Sequence, residues 1–262
     1  MMDVTDSLSI QNQEAAQKLS KIARVILVGS GKGGVGKSFV ASGLALSLSN
    51  KGFQTGILDL DIHGASIPNY LGVRPPLKSN KNGLEPKRVG KLKVMSVALL
   101  TGNNAVPVKG RKKEDMIVQL FSITNWGKLD YLIVDLPPGT GDEILSSFEL
   151  FSKKSSLLLV STPSSNALSV VSRLSSLAKI ERVTISGIVM NMAWSRIGKR
   201  TIYPFGKTRD SLFEKELGSN ILAKFPLDSR VSSQSLQVIL GGRNEISTSM
   251  KEMVDRLIVQ NS

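Results

Sequence analysis

A chain of 262 residues, 41% hydrophobic and 21% charged with 23 glycines and 10 prolines, can fill a full-sized core, which excludes disordered and collagen-like classes. Thirty-four Lys and Arg against 21 Asp and Glu leave a net charge of +13, so nucleic acid and anionic surfaces are the partners to consider. There is no cysteine, which excludes disulfides, thiolate zinc sites, thiol nucleophiles and cysteine-ligated iron-sulfur clusters built from this chain alone. Asp3 and Asp6 stand where a signal peptide needs positive charge, and no apolar run reaches bilayer length. A cytoplasmic protein with no membrane partner is therefore expected.

Residues 1–20 are polar and Gln-rich and read as a lead-in with at most a short helix, while 21–262 read as one domain. Apolar runs of strand length fall at 25–28, 55–60, 93–99, 131–134, 157–160, 185–190 and 221–225. Most lack strict alternation, as strands buried on both faces do. Helical patterns fall between or after them at 38–49, 112–121, 142–151, 167–179, 207–217, 231–240 and 247–258. The alternation predicts an α/β fold with a mainly parallel central sheet, helices on both faces, and ligands at the carboxyl ends of the strands. Residues 74–93 hold three prolines, two glycines and seven basic side chains, and predict an exposed excursion with a hairpin.

After the first strand comes Gly31-Lys32-Gly33-Gly34-Val35-Gly36-Lys37-Ser38, followed by Phe39 and a helical pattern. This fits the phosphate-loop motif, in which glycines let the backbone wrap a polyphosphate and turn N–H groups toward it. The helix N-terminus adds its dipole. Lys37 is expected to bridge the β- and γ-phosphates of ATP, and Ser38 to ligate Mg2+. Asp59 and Asp61 end the second strand, where they can serve metal and water or cap a turn. Asp135 ends the apolar strand Tyr131-Leu132-Ile133-Val134 in the manner of a magnesium-holding carboxylate. The turn Leu136-Pro137-Pro138-Gly139-Thr140-Gly141 is rigid enough to present the Gly139 N–H to a terminal phosphate, whereas Asp142 and Glu143 read as the start of a helix.

The second lysine of the loop, Lys32, resembles that of the deviant phosphate loop of ParA/MinD ATPases, of the SIMIBI type. Further stretches, Asp59-Leu60-Asp61-Ile62-His63-Gly64-Ala65-Ser66-Ile67-Pro68, DYLIVDLPPGTGD over 130–142, Asn191-Met192 and Gly198-Lys199-Arg200, resemble the Mrp/ApbC family of iron-sulfur carrier ATPases. The resemblance runs over about 24–240. It implies a slow ATPase that forms a homodimer bridged by ATP and acts on a protein partner. Within it, Lys32 reaches the partner copy's nucleotide, Asp59 meets the metal's water shell and Asp61 positions the attacking water. Asn191 reads the adenine edge, with a structural turn as its other reading, and Pro226 and Asp228 close the base pocket.

One departure bears on cargo. Family members that carry clusters have Cys-x-x-Cys shortly after the Asn-Met pair, and Ala193-Trp194-Ser195-Arg196-Ile197-Gly198-Lys199 contains no cysteine. No self-ligated cluster is expected. Phe39 and His63 also stand where other residue types are common, and the solitary His63 has no companion ligands. Two alternatives remain: a ParA-like dimer binding DNA through clusters such as Lys78/Lys81, Lys87/Arg88/Lys91/Lys93 and Arg111/Lys112/Lys113, and a MinD-like membrane switch using 247–259. The latter stretch is balanced in charge and suits the core better.

Overall fold

The computed structural model describes residues 4–61, 64–100, 113–151 and 154–260. In chain order it forms α1 (Val4–Ser20), β1 (Ile22–Gly29), α2 (Lys37–Asn50), β2 (Thr55–Asp59), α3 (Ile67–Leu71), β3 (Lys78–Asn80), β4 (Gly83–Glu85), β5 (Lys87–Val89) and β6 (Leu92–Ser96). After a short 3-10 turn at Val97–Leu99 come α4 (Lys113–Ile123), β7 (Leu129–Asp135), α5 (Asp142–Phe151), β8 (Ser155–Ser161), α6 (Ser165–Ile180) and β9 (Thr184–Met190). The chain ends with β10 (Ser195–Ile197), β11 (Arg200–Ile202), α7 (Asp210–Leu217), β12 (Ile221–Lys224), α8 (Arg230–Ser233), α9 (Leu236–Gly241) and α10 (Glu245–Gln260).

The central sheet has the order β12-β9-β8-β1-β7-β2-β6-β5, parallel throughout except for the edge pair β5–β6. All seven strands expected from apolar runs lie in its parallel part. Register explains the position of the polar groups: Asp59 lies opposite Asp135 on one side and Ser96 on the other, so three strand ends bring their polar residues into one row. Helices surround the sheet, with α2 packed on β7 and β2 and in turn covered by α10. Among the described residues no helix is long and apolar enough to cross a membrane.

Three elements differ from the sequence-based expectations. The lead-in is a 17-residue helix, α1, whose Ala15 is fully buried. The Lys18 ammonium donates to the Ser122 and Thr124 carbonyls at the end of α4, and Lys154 donates to the Leu19 and Ile22 carbonyls at 3.2 and 2.7 Å. The helix expected over 231–240 is two short ones, because the Ser232 and Ser233 hydroxyls bond the Ser229 carbonyl and Gln234 and Ser235 turn extended. The excursion at 74–93 holds two antiparallel pairings, β3–β4 and β5–β6.

Candidate functional site

The loop between β1 and α2 closes at the carboxyl edge of the sheet. Gly34 and Gly36 take φ of +77° and +81°, the left-handed region that side chains disfavour. A Cβ on Gly36 would lie 2.0 Å from Asn191 Nδ2, and one on Gly31 would lie 2.5 Å from the Val170 and Val171 backbone of α6. Gly33, by contrast, faces open space. Gly31→Ala should therefore lose about 1–3 kcal/mol in urea unfolding while Gly33→Ala changes stability little. Equal effects would show that the loop does not pack as described.

Lys37 and Ser38 open α2 side by side and both engage one fully buried carboxylate. Lys37 Nζ is 2.7 Å from Asp135 Oδ1, and the Ser38 hydroxyl donates to Asp135 Oδ2 at 2.5 Å. Burial pushes the Asp135 carboxyl above the usual carboxylate range, with Lys37 and Ser38 opposing that shift. Asp59 accepts hydrogen bonds from the Ser96 hydroxyl at 2.9 Å and the Asp61 N–H at 3.1 Å. Its pKa is pushed up to about 7, first by burial and then by the neighbouring Asp135 charge. Asp61 is the accessible carboxylate: it is 16% exposed, 3.8 Å from Lys37 Nζ, and accepts the Gly64 N–H at 3.0 Å.

The site fits a magnesium ion bound with a polyphosphate. Its hydroxyl and carboxylate oxygens are hard donors, and among the described residues no three acidic or histidine side chains form a metal cage. Magnesium suits that partial set, because it takes one or two protein oxygens and fills its remaining positions from phosphate and water.

A cavity of about 480 Å³ opens above the loop, lined by Lys32, Gly33, Lys37, Ser38, Asp61 and Tyr70, among others. Lys32 is exposed at its rim. The Gly139 N–H donates to the Ser30 carbonyl at 3.0 Å with φ +98°, so the turn after β7 is tied to the phosphate loop and must release that bond to reach a phosphate. Asn191 is buried and gives one amide N–H to the Val35 carbonyl at 2.8 Å, bracing the loop from behind. The Phe39 ring lies in the core against Tyr70 and Phe225, which leaves only its backbone beside the loop. Pro226 and Asp228 line a second cavity of about 650 Å³. There Arg230 holds Asp228, Nε lying 3.0 Å from each carboxylate oxygen, and keeps that carboxyl below its usual range.

Sequence reasoning passed over Tyr70, which lines both cavities, and Ser96 and Arg230, which orient Asp59 and Asp228. Ser96 acts through strand register and Tyr70 through packing, which local sequence does not carry, whereas Arg230 stands only two residues from Asp228 and its pairing was open to a local reading. His63, Arg111 and Lys112 lie outside the described residues. Of the basic clusters, Lys78 sits in β3, Lys87 and Arg88 lie on the edge strand β5, and Lys93 donates to the Trp126 carbonyl.

A parallel sheet carrying this loop, with Lys37 and Ser38 on Asp135, defines a MinD/ParA-like P-loop nucleoside triphosphatase fold. The family model for ParA, described as NUBPL iron-transfer P-loop NTPase, matches residues 21–258, and the chain belongs to that family. It is 36% identical over 236 residues to an iron-sulfur cluster carrier protein of Saccharolobus solfataricus, covering 87% of this chain and 79% of that one. It is 40% identical over 188 residues to the cytosolic Fe-S cluster assembly factor CFD1 of Saccharomyces cerevisiae, covering 68% and 64%. Among solved structures, a nucleotide-binding protein of Archaeoglobus fulgidus in complex with ADP superposes with a TM-score of 0.73 at 33% identity, covering 85% of this chain and 89% of that one. The MinD cell division ATPase of Pyrococcus furiosus, at 20% identity and TM-score 0.70 over 92% and 100% of the two chains, shares the fold.

Proposed function

We propose that this chain is a magnesium-dependent ATPase that hydrolyses slowly, dimerises around ATP, and serves iron-sulfur cluster assembly without ligating a cluster through its own side chains. The observation that carries the reading is the convergence of Lys37 and Ser38 on Asp135 beneath an open cavity, at the mouth of a glycine loop. The backbone of 33–38 would cradle the phosphates, and Lys37 would transfer its charge from Asp135 toward them. Ser38 and Asp135 would hold the magnesium ion, with Asp59 behind, and the ion when bound would neutralise phosphate charge. Asp61, facing the cavity, would orient the attacking water. Titration calorimetry with ATP and Mg2+ tests the site, and absence of heat from binding would overturn the reading.

Dimerisation rests on Lys32, a cation exposed at the cavity rim whose ammonium has no hydrogen bond or ion pair among the described residues. A terminal phosphate of a second copy would give it a partner, as an arginine finger finds one. Light scattering of an Asp61→Ala background should show dimer with ATP and monomer with ADP. Adding Lys32→Ala should leave a monomer that still binds ATP, and a nucleotide-independent dimer would remove this role.

Iron in a sulfide cluster favours thiolates, and serine alkoxide holds its proton far more tightly than a thiol. With no cysteine in the sequence, thiols must come from a partner. Anaerobic reconstitution of the isolated chain with iron and sulfide should give no stable visible chromophore after desalting. A stoichiometric cluster would contradict the reading.

A further inference from the structure

The central sheet ends on β12 at one side and on β5 at the other. On β12, Glu214 accepts the Ile221 N–H at 3.0 Å and Arg256 donates to the Leu222 carbonyl at 2.9 Å, so side chains from α7 and α10 occupy backbone groups of that edge. β5 has no such cover among the described residues. It is joined to β6 by the two-residue turn Gly90-Lys91, with Val89 opposite Leu92, Arg88 opposite Lys93 and Lys87 opposite Val94. A turn of that length closes on a hydrogen-bonded pair, and such pairs alternate along an antiparallel ladder. Val89 and Lys87 therefore bond to β6, whereas the Arg88 N–H and C=O point outward from the sheet.

Charge at this edge is unbalanced. Residues 74–93 hold seven cations against one acid, Glu85, whose carboxylate already accepts from Asn80 at 2.5 Å and Asn125 at 2.7 Å. Arg88 and Lys93 stand directly opposite each other with their side chains on one face, a like-charge pair that costs the sheet stability. Burial, and then the Arg88 charge, hold the Lys93 ammonium pKa below its usual range. Lys93 donates to the Trp126 carbonyl, while Arg88 and Lys91 are exposed and have no ion pair among the described residues.

We infer that β5 is a docking edge for an extended acidic segment of a partner protein, which adds to the sheet as a further strand. The residue of that segment opposite Arg88 exchanges hydrogen bonds with its outward N–H and C=O. A carboxylate at that position lies on the face of Arg88 and Lys93 and relieves the repulsion between them. The same cations disfavour a second copy of this chain, whose β5 would set Lys87 and Arg88 against their equivalents. A nucleic-acid backbone satisfies the charges alone: it leaves the Arg88 backbone groups unpaired, and residues 74–93 hold no aromatic side chain on which a base could stack. β6, β2 and β7 separate this edge from β1 and the phosphate loop, so a partner docked here leaves the nucleotide cavity and Lys32 at its rim open.

The test uses the full chain and a fluorescent peptide of alternating threonine and glutamate, read by anisotropy at low salt. Binding is expected, with the Arg88 amide protected from hydrogen exchange in NMR spectra. Lysine in place of glutamate in the peptide should abolish binding. N-methylation of the glutamate amides keeps the charge, removes the donors of the added strand, and should weaken binding about three- to tenfold. Lys87→Gln with Arg88→Gln and Lys91→Gln should weaken it about tenfold. Arg88→Pro removes an N–H that β6 does not use, so the fold should survive, yet it should bind about three- to tenfold more weakly than Arg88→Gln. Circular dichroism melts check that each variant remains folded. No binding of the glutamate peptide at low salt overturns the inference. Equal binding of the N-methylated peptide, or equal binding by Arg88→Pro and Arg88→Gln, makes the edge a charged surface only and overturns it as well. Duplex DNA that displaces the peptide without protecting the Arg88 amide would assign the cations to nucleic acid and overturn it equally.

Discussion

Lys37→Ala should remove nearly all ATP affinity and, separately, lower stability by about 3–5 kcal/mol, because it strips the cation from a carboxylate with no solvent exposure. The two losses have different origins and can be separated. Asp135→Asn keeps the shape of the side chain while removing the buried charge, so adding it to Lys37→Ala should recover a large part of the stability. It should recover none of the affinity, since the phosphate chain still lacks its cation. Urea unfolding reports the first quantity and calorimetry the second. If Lys37→Ala binds ATP with unchanged affinity, the cavity above the loop is not the phosphate site. If the double variant is no more stable than the single, an uncompensated Asp135 charge is not what destabilises Lys37→Ala.

The parts of the fold that were legible in the sequence are those whose physics is local. The run Val25-Ile26-Leu27-Val28 is apolar on both faces because β1 is an inner strand, between β7 and β8, of a sheet covered by helices, and it reads as a strand without knowledge of its neighbours. Asp59 and Asp135 were legible for a related reason: a carboxylate closing an apolar strand marks the edge where the sheet ends. That these two lie in one row with Ser96 was not legible, since register between β2, β6 and β7 is a property of three distant segments. The same limit hid α1, which is held in part by lysine-to-carbonyl bonds that hydrophobic periodicity does not register.

Asn191 and Phe39 show the site-level version of that limit. An asparagine after a strand can face a base or brace a loop with the same local sequence, and only the 2.8 Å bond to Val35 shows which contact one of its N–H groups makes. Because a Cβ at Gly36 would meet that same amide, the glycine and the asparagine are a matched pair across 155 positions of chain. Phe39 follows the loop serine, yet the helix turns its ring into the core between Tyr70 and Phe225. Proximity in sequence to a phosphate loop fixes the backbone near the ligand and leaves the direction of the side chain to helix geometry.

Asp61→Ala should retain ATP and lose hydrolysis, the opposite pattern to Lys37→Ala. Its carboxylate faces the cavity, and among the described residues the hydrogen bond its side chain makes is to the nearby Gly64 N–H, at 3.0 Å. The bond that ties this turn to Asp59 comes from the Asp61 backbone and survives the substitution. Little folding energy is therefore at stake. Removing a negative charge 3.8 Å from Lys37 also leaves that lysine freer to serve a phosphate, so affinity should hold or rise slightly. A group that orients water contributes chiefly in the transition state, and its loss should slow single-turnover phosphate release by about a hundredfold or more. Asp61→Asn keeps an acceptor for Gly64 and should show the same kinetic loss, which separates the charge from the turn it supports. Turnover unchanged in both variants would place the water-orienting group elsewhere, whereas loss of ATP binding in both would make Asp61 part of the phosphate cradle itself.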